Sequence, residues 1–262
     1  MNSEVILPVA TSVTSHRIWR QYQSDKPQSL LPIGATLVDQ RLQGGIARAG
    51  LHEFFGAENR DATTAAAFAL LIALRLPEAE THILWISSDK ERQASGRLNA
   101  PGLAEMGADP ARILLVQAAD LRDALRAAAD GIRSRAAGAV ILEAQGNARL
   151  IDLTSTRRLV LAAREAGVLV LLVRDDAVPM PSAANTRWQV RSAPSLPLPG
   201  NAPGLATFDI NLLRHRGGTA PFEARVTWDH GQKSFHDAPL SGGLSAIVAG
   251  GTADPDARQQ SA

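Results

Sequence analysis

Short apolar runs alternate with stretches of helical periodicity through most of this sequence. Predicted strands at 51–55, 83–86, 113–116, 140–142 and 168–173 are separated by predicted helices at 62–76, 102–106, 120–135 and 151–166. The run at 168–173 is apolar at every position, which is typical of a strand buried on both faces. Strands joined by helices of this length form right-handed crossovers. The sequence therefore predicts an α/β fold with a mostly parallel central sheet flanked by helices.

The alternation ends after Arg174. Residues 175–185 form a loop rich in Pro, Ala and Ser, and residues 186–192 predict one more strand. The segments 206–214 and 223–228 flank the turn sequence Arg216-Gly217-Gly218-Thr219 and predict an antiparallel hairpin that extends the sheet. We therefore divide the chain into an N-terminal arm or helix (1–30), a core (31–193), a Pro/Gly connector (194–204), a C-terminal β-hairpin extension (205–249) and a disordered tail (250–262).

Composition excludes several classes of protein. The 262 residues include no cysteine, which excludes disulfides, thiolate metal sites and cysteine nucleophiles. The six histidines show no ligand spacing, and no G-x-S-x-G elbow occurs, so we expect neither a metal nor an esterase-type triad. No apolar run reaches the ~18 residues of a membrane span, and the first residues lack the pattern of a signal peptide. We expect a cytoplasmic protein without membrane contact.

The segment between the first core strand and the first core helix resembles a phosphate-binding loop that lacks the lysine which binds the phosphates. The pattern G-x-x-x-x-G-K-[ST] places backbone N–H groups around the phosphates and a lysine beside the outer charge. Gly56, Thr63 and Thr64 keep the first glycine and the hydroxyl positions, but Asp61 and Ala62 replace Gly-Lys. Two like charges ~4 Å apart repel by about 4 kcal/mol at an effective dielectric near 20. We expect no cofactor, although weak nucleotide binding through Thr63 stays open.

Several short segments carry a wider resemblance. Residues 31–39, Gly44-Gly45 and the strand and turn at 50–56 resemble the start of the ATPase core of the recombinase RecA. From about residue 31 to about residue 235 the chain is similar to the ImuA family, RecA-like proteins of bacterial damage-induced mutagenesis cassettes. The segments that carry this similarity are 50–53, 83–86, 100–103, 109–112, 140–143, 213–218 and 228–230. The helix at 120–135 departs from the family because it lacks a Trp and an acidic pair.

The resemblance implies a RecA-like core and a role beside other proteins. ImuA-like proteins act with an ImuB-like Y-family polymerase homologue and an error-prone replicative-type DNA polymerase, with RecA as a further candidate partner. Together these proteins copy past damaged bases in the SOS response. The resemblance also places Asp89 at a catalytic carboxylate and Glu143 at a magnesium-coordinating acid, but without the lysine neither has a triphosphate to act on. We predict a non-catalytic adaptor of translesion synthesis that is nucleoid-associated when engaged.

Two other functions stay open at this point. The first is a weak or active P-loop ATPase of recombination or repair, which would need a lysine from elsewhere, such as Lys90 or a neighbouring subunit. The second is a cell-division inhibitor of the SulA type, which also resembles a trimmed RecA core. Recovery of polymerases, recombinase or division proteins with the tagged chain would separate these functions.

The C-terminal third is locally basic. Trp188 and Trp228 are interleaved with the cations, and a solvated strand face is the alternative to a contact surface. A few arginines neutralise few phosphates, so any DNA contact would be weak and sensitive to salt. The candidate contacts for a partner or for DNA are Arg187, Arg191, Arg214, Arg216 and Arg225.

Overall fold

A computed structural model of the chain describes residues 29–58, 61–77, 82–89, 98–146, 149–197, 200, 202 and 204–239. Nearly all of the predicted N-terminal arm, Lys90 and the predicted tail at 250–262 lie outside these residues. Among the described residues, no helix combines the length and the apolar character needed to cross a membrane.

Most of the described strands join one central sheet. The strands are β1 (Leu30–Leu31), β2 (Ile46–Ala47), β3 (Gly50–Gly56), β4 (Ile83–Ser88), β5 (Ile113–Ala118), β6 (Ala139–Gln145), β7 (Leu169–Asp175), β8 (Thr186–Ala193), β9 (Thr207–His215), β10 (Phe222–Asp229) and β11 (Ser234–Ala238). Nine of these described strands form the sheet, in the order β11-β10-β9-β8-β3-β7-β6-β4-β5. Pairing is parallel from β8 through β5 and antiparallel from β8 through β11. This confirms the predicted sheet and its antiparallel extension, to which the unpredicted β11 adds an edge.

The described α-helices are α1 (Thr36–Arg41), α2 (Ala62–Ala73), α3 (Ala100–Glu105), α4 (Leu121–Ser134) and α5 (Leu153–Ala166). The two longest begin and end at local signals that the sequence contains. At the start of α4 the Asp120 side chain accepts the backbone N–H of Asp123, and Asp152 forms a capping box with Ser155 at the start of α5. Gly167 ends α5 in the left-handed conformation, with φ at 77°.

The sheet separates two apolar clusters. On one face α2 packs against β3, β7 and β8, and its Phe68 ring lies 5.4 Å from the Phe208 ring and 4.9 Å from the Phe235 ring, centroid to centroid. On the other face α4 and α5 cover β4, β6, β7 and β3. Gly131 allows α4 to approach the sheet closely, because a Cβ there would lie 2.2 Å from Leu84 Cδ2. The antiparallel strands thus share the α2 core.

The connection from β7 to β8 contains no helix. Residues 176–185 return along the α5 face of the sheet, and Ala183 and Ala184 are buried in the cluster under α5. The Ala183 N–H donates to Thr156 Oγ1 at 3.0 Å. Asn185 exchanges hydrogen bonds with the backbone of Leu51 in β3, at 2.7 Å to its carbonyl and 3.1 Å from its N–H. This helix-free segment of residues 176–185 is called the crossover below.

Candidate functional site

The turn from β3 to α2 is closed by a carboxylate of its own. Asp61 immediately precedes α2 and is 4% exposed. One of its carboxylate oxygens accepts the backbone N–H of Glu58 at 3.2 Å, and the other lies 3.5 Å from the backbone nitrogen of Ser192 in β8. A phosphate-binding loop turns such N–H groups towards the phosphate. Here the Asp61 side chain is the anion that receives the Glu58 N–H.

Gly56 is needed because the turn passes directly over it. A Cβ on Gly56 would lie 2.9 Å from the carbonyl oxygen of Glu58 and 3.0 Å from the nitrogen of Ala62. Thr63 is exposed and Thr64 is half-buried in the first turn of α2. The strand, turn and helix expected from the motif are therefore present, and loss of nucleotide binding stays a prediction.

A cleft of about 530 Å³ opens beside this turn, at the carboxyl ends of β4 to β7. This edge is where doubly wound sheets bind their ligands. Trp85, Leu103 and Leu115 supply apolar walls, and the charged residues of the described lining are Glu143 and Asp175.

The two carboxylates suggested by the resemblance lie at this same edge. Asp89 follows β4, and one of its oxygens accepts the side-chain amide of Gln117 at 2.7 Å. Glu143 lies in β6, the strand next to β4. Across the part of the chain that the structure describes, no group of three or more His, Asp or Glu side chains is placed to hold a metal ion. The expectation of no metal remains a prediction.

A buried ion pair lies on the α5 side of β3. Glu53 shares a face with Leu51, whose side chain belongs to the cluster under α5. Glu53 is fully buried, and its Oε2 accepts hydrogen bonds from Arg187 Nε at 2.9 Å and from Ser182 Oγ at 2.8 Å. Arg187 is itself 8% exposed. Its assignment to a contact surface was therefore wrong, because Arg187 belongs to the interior.

A second buried arginine extends this charge cluster. Arg174 in β7 donates to the carbonyl of Gly146 at 3.1 Å. Its guanidinium lies 5.7 Å from the centroid of the Phe55 ring, and that of Arg187 lies 5.8 Å from the same centroid. Burial lowers the pKa of Arg174, while the charge of Glu53 acts in the opposite direction. Glu53 thus pairs directly with Arg187 and also acts on the charge of Arg174.

Arg214 and Arg216 hold the crossover in place. Arg214 donates to the carbonyl of Ser182 at 3.0 Å, and Arg216 donates to the carbonyl of Ala183 at 3.2 Å. Since no helix satisfies these carbonyls, the side chains at the end of β9 do so. Burial lowers the pKa of Arg214, and the charges of Arg187 and Arg216 add to that effect. These two predicted contact residues therefore support the fold as well as the surface charge.

Arg191 and Arg225 share one carboxylate on the outer face of the extension. Arg225 binds Asp209 through two hydrogen bonds, of 2.6 and 3.0 Å, and Arg191 donates to the same carboxylate at 3.3 Å. The hydrogen bond from Arg225 lowers the pKa of Asp209. Arg191 is exposed and Arg225 is half-buried, so Arg191 is the more accessible of the two. Their contact with a partner stays a prediction.

His52 precedes Glu53 in β3 and is a buried neutral group. Its Nδ1 lies 2.7 Å from Thr186 Oγ1, and its Nε2 lies 2.8 Å from the carbonyl of Ala47. Trp188 Nε1 donates to the same threonine oxygen at 2.7 Å. Burial lowers the pKa of His52 to about 4. The network joins β2, β3 and β8 without a charge near neutral pH.

Comparison with known proteins decides the family. No family model matches the chain. Protein ImuA from two strains of Caulobacter vibrioides is 30% identical to it over 207 residues, which cover 73% of this chain and 81% of that protein. The chain belongs to the ImuA family. The crystal structure of the RadB recombinase matches 80% of this chain and 100% of its own length, with a TM-score of 0.53 at 17% identity, which shows a RecA-like fold.

Sequence reasoning missed the buried charges of this ImuA-family chain. A signal was present, because His52 and Glu53 interrupt the apolar strand at 51–55 and buried ionisable groups need partners. The identity of those partners had no local signal. Arg187 lies 134 positions from Glu53 along the chain, and Ser182 lies 129 positions from it.

Proposed function

We propose that this ImuA-family protein is a non-catalytic adaptor in damage-induced, error-prone translesion DNA synthesis. Similarity to protein ImuA supports a place in SOS mutagenesis. The observation that supports the non-catalytic part is the carboxylate of Asp61, which is buried in the β3–α2 turn and accepts the N–H of Glu58. The side chain that a P-loop uses to attract the outer phosphate charge is Ala62 here.

Phosphate binding at this turn would require rearrangement. An incoming phosphate would compete with Asp61 for the Glu58 N–H and would approach a carboxylate of the same charge. Each like-charge pair ~4 Å apart opposes binding by about 4 kcal/mol at an effective dielectric near 20.

The proposed adaptor acts through its surface. Its partners would be an ImuB-like Y-family polymerase homologue and an error-prone replicative-type DNA polymerase, with RecA as a further candidate. Surface complementarity, set by charge and shape on a rigid sheet, would select these partners. Direct contact of the C-terminal extension with DNA would be a weak addition, because Arg187 is buried and Arg191 and Arg225 share one carboxylate.

Thermal unfolding with millimolar Mg-ATP tests the non-catalytic part. A ligand at ~100 times its Kd stabilises a protein by about 2.7 kcal/mol, which for a domain of this size raises Tm by roughly 5–10 °C. We expect no such shift and no ATP turnover. A shift of that size, or turnover that Asp89→Ala abolishes, would favour the ATPase instead.

Affinity purification from DNA-damaged cells tests the adaptor part. We expect the tagged chain to retain the two polymerase-type proteins, and purified components to reproduce the interaction. Retention of division proteins in place of polymerases would favour the SulA-type function.

A further inference from the structure

A basic groove runs between α4 and α5 on the outer side of the sheet and encloses about 520 Å³. It shares no lining residue with the cleft beside the Asp61 turn. Asp130 and Asp152 are the acidic side chains of its described lining, which has a formal excess of three positive charges. The basic side chains are Arg122, Arg126 and Arg133 from α4, Arg149 from the residues that precede α5, and Arg158 from α5 itself.

The floor of this α4–α5 groove is apolar. Leu125, Ala129, Leu159 and Ala162 line it between the arginines, and Leu150 stands at one end with 41% of its surface exposed. None of the described lining residues is aromatic. The groove thus combines an aliphatic floor with charged walls.

The arginines on the α4 wall are accessible to a partner. Arg126 pairs with Asp123 at 3.2 Å, and Arg133 pairs with Asp130 at 2.7 Å, each within one helical turn. All four side chains are at least half exposed, and exposed pairs of this kind contribute little to stability. The guanidinium groups can therefore turn to carboxylates of another molecule at small cost.

We propose that the α4–α5 groove binds an acidic amphipathic segment of a partner protein. Aliphatic side chains of that segment would lie on Leu125 and Leu150, and its carboxylates would face the arginine walls. Helices dock in this manner into grooves between two helices of a receptor. A single-stranded nucleic acid fits less well, because its bases stack on aromatic side chains and the described lining has none. This proposal rests on the adaptor function and adds the surface and the chemistry of the partner.

A fluorescence-anisotropy experiment with the full-length protein tests the groove. The probe is a labelled helical peptide of about 15 residues, with Leu at i, i+3, i+4 and i+7 and Glu on both flanks. A peptide of the same composition with permuted order, and an oligothymidylate of about 20 nucleotides, are the comparison probes. Titrations at about 50 mM and about 200 mM salt separate contact from long-range attraction.

Arg126→Glu and Arg158→Glu change opposite walls of the groove. The matched control is Arg112→Glu, because Arg112 is solvent-accessible and pairs with Asp109 three residues before it at 3.5 Å, but lies outside the groove. We expect the patterned peptide to bind the wild type and to lose at least about tenfold in affinity in either groove variant, with a change of less than about twofold in the control. Unchanged Tm values establish that each variant is folded.

Three outcomes would overturn the groove proposal. In the first, the permuted peptide binds as tightly as the patterned one. In the second, the groove variants keep the wild-type affinity for the patterned peptide. In the third, the oligothymidylate binds, and Arg126→Glu abolishes oligothymidylate binding but leaves peptide binding unchanged. Affinity purification separates this failure from failure of the adaptor function. If Arg126→Glu retains the polymerases as the wild type does, the groove proposal fails and the adaptor stands; if the wild type retains none, the adaptor itself fails.

Discussion

Arg187 Nε donates a hydrogen bond to Oε2 of Glu53 at 2.9 Å, and a terminal nitrogen of the same guanidinium lies 2.9 Å from that oxygen. Their side chains are 10% and 1% exposed. Removing one partner of a buried pair leaves the other charge uncompensated, which costs about 3–5 kcal/mol. We therefore expect Arg187→Ala to lower the free energy of unfolding by about that amount in urea denaturation.

Arg191 provides the control for this variant. It lies in the same strand but is exposed, so Arg191→Ala should change stability by only about 0–1 kcal/mol. The double variant Glu53→Leu with Arg187→Met removes both charges of the pair but leaves Arg174 buried without the carboxylate of Glu53, so it should recover only part of the lost stability. Equal effects of Arg187→Ala and Arg191→Ala would show that the ion pair is not important for folding.

The arginines that hold the crossover make a second prediction. Arg214→Ala removes a charged donor from the Ser182 carbonyl, and hydrogen bonds to charged groups contribute about 1.5–3 kcal/mol. We expect a lower Tm by several degrees, and faster amide exchange of Asn185, whose N–H donates to Leu51. Arg214→Lys keeps the charge with different geometry and should lie between Ala and wild type. An unchanged Tm for Arg214→Ala would contradict this role and would favour the solvated strand face that the sequence left open for this residue.

Acid sensitivity follows from His52. Its pKa is about 4 in the folded protein and about 6.5 in the unfolded chain. As pH falls the unfolded chain binds the proton first, so the stability contribution is complete above about pH 6.5 and declines until about pH 4. The full loss is of the order of 3 kcal/mol. In urea titrations at several pH values, His52→Gln should flatten this part of the profile, and an identical slope in wild type and variant would contradict the assignment.

Local patterns predicted the elements whose signals are local. The all-apolar run at 168–173 predicted β7, and Asp120 and Gly167 predicted the ends of α4 and α5 to within two residues. β11 was not predicted, because Ser234–Ala238 buries only Phe235 and is defined by pairing with β10. The residues of the β3–α2 turn were predictable because their motif spans nine consecutive positions and is therefore a local signal.

The roles of the individual arginines depend on long-range contacts, which the sequence did not predict. Arg187, Arg214 and Arg225 look alike in the sequence, yet one is buried on Glu53, one holds the crossover and one binds Asp209. Their different roles depend on which strands become neighbours: β8 lies between β3 and β9, and β10 pairs with β9. Nothing in the spacing of the arginines specifies this order. The α4–α5 groove likewise exists only because two separate helices pack side by side.

The last prediction concerns the phosphate-binding turn. Replacing Asp61-Ala62 with Gly-Lys removes the carboxylate that accepts the Glu58 N–H and restores the pattern of an active loop. If the protein acts as an adaptor, damage-induced mutation frequency in complemented cells should stay near the wild-type value, because partner contact does not depend on this turn. Asp61→Asn is the control, since it removes the charge and keeps an oxygen acceptor of the same shape. Thermal shifts with Mg-ATP should be measured on both variants in parallel.

A Gly-Lys variant that gains an ATP-dependent shift with unchanged mutation frequency would show that nucleotide binding is separable from function. A mutation frequency that changes together with ATP binding would show instead that the turn still controls activity, and the adaptor proposal would have to give way to a nucleotide-dependent one.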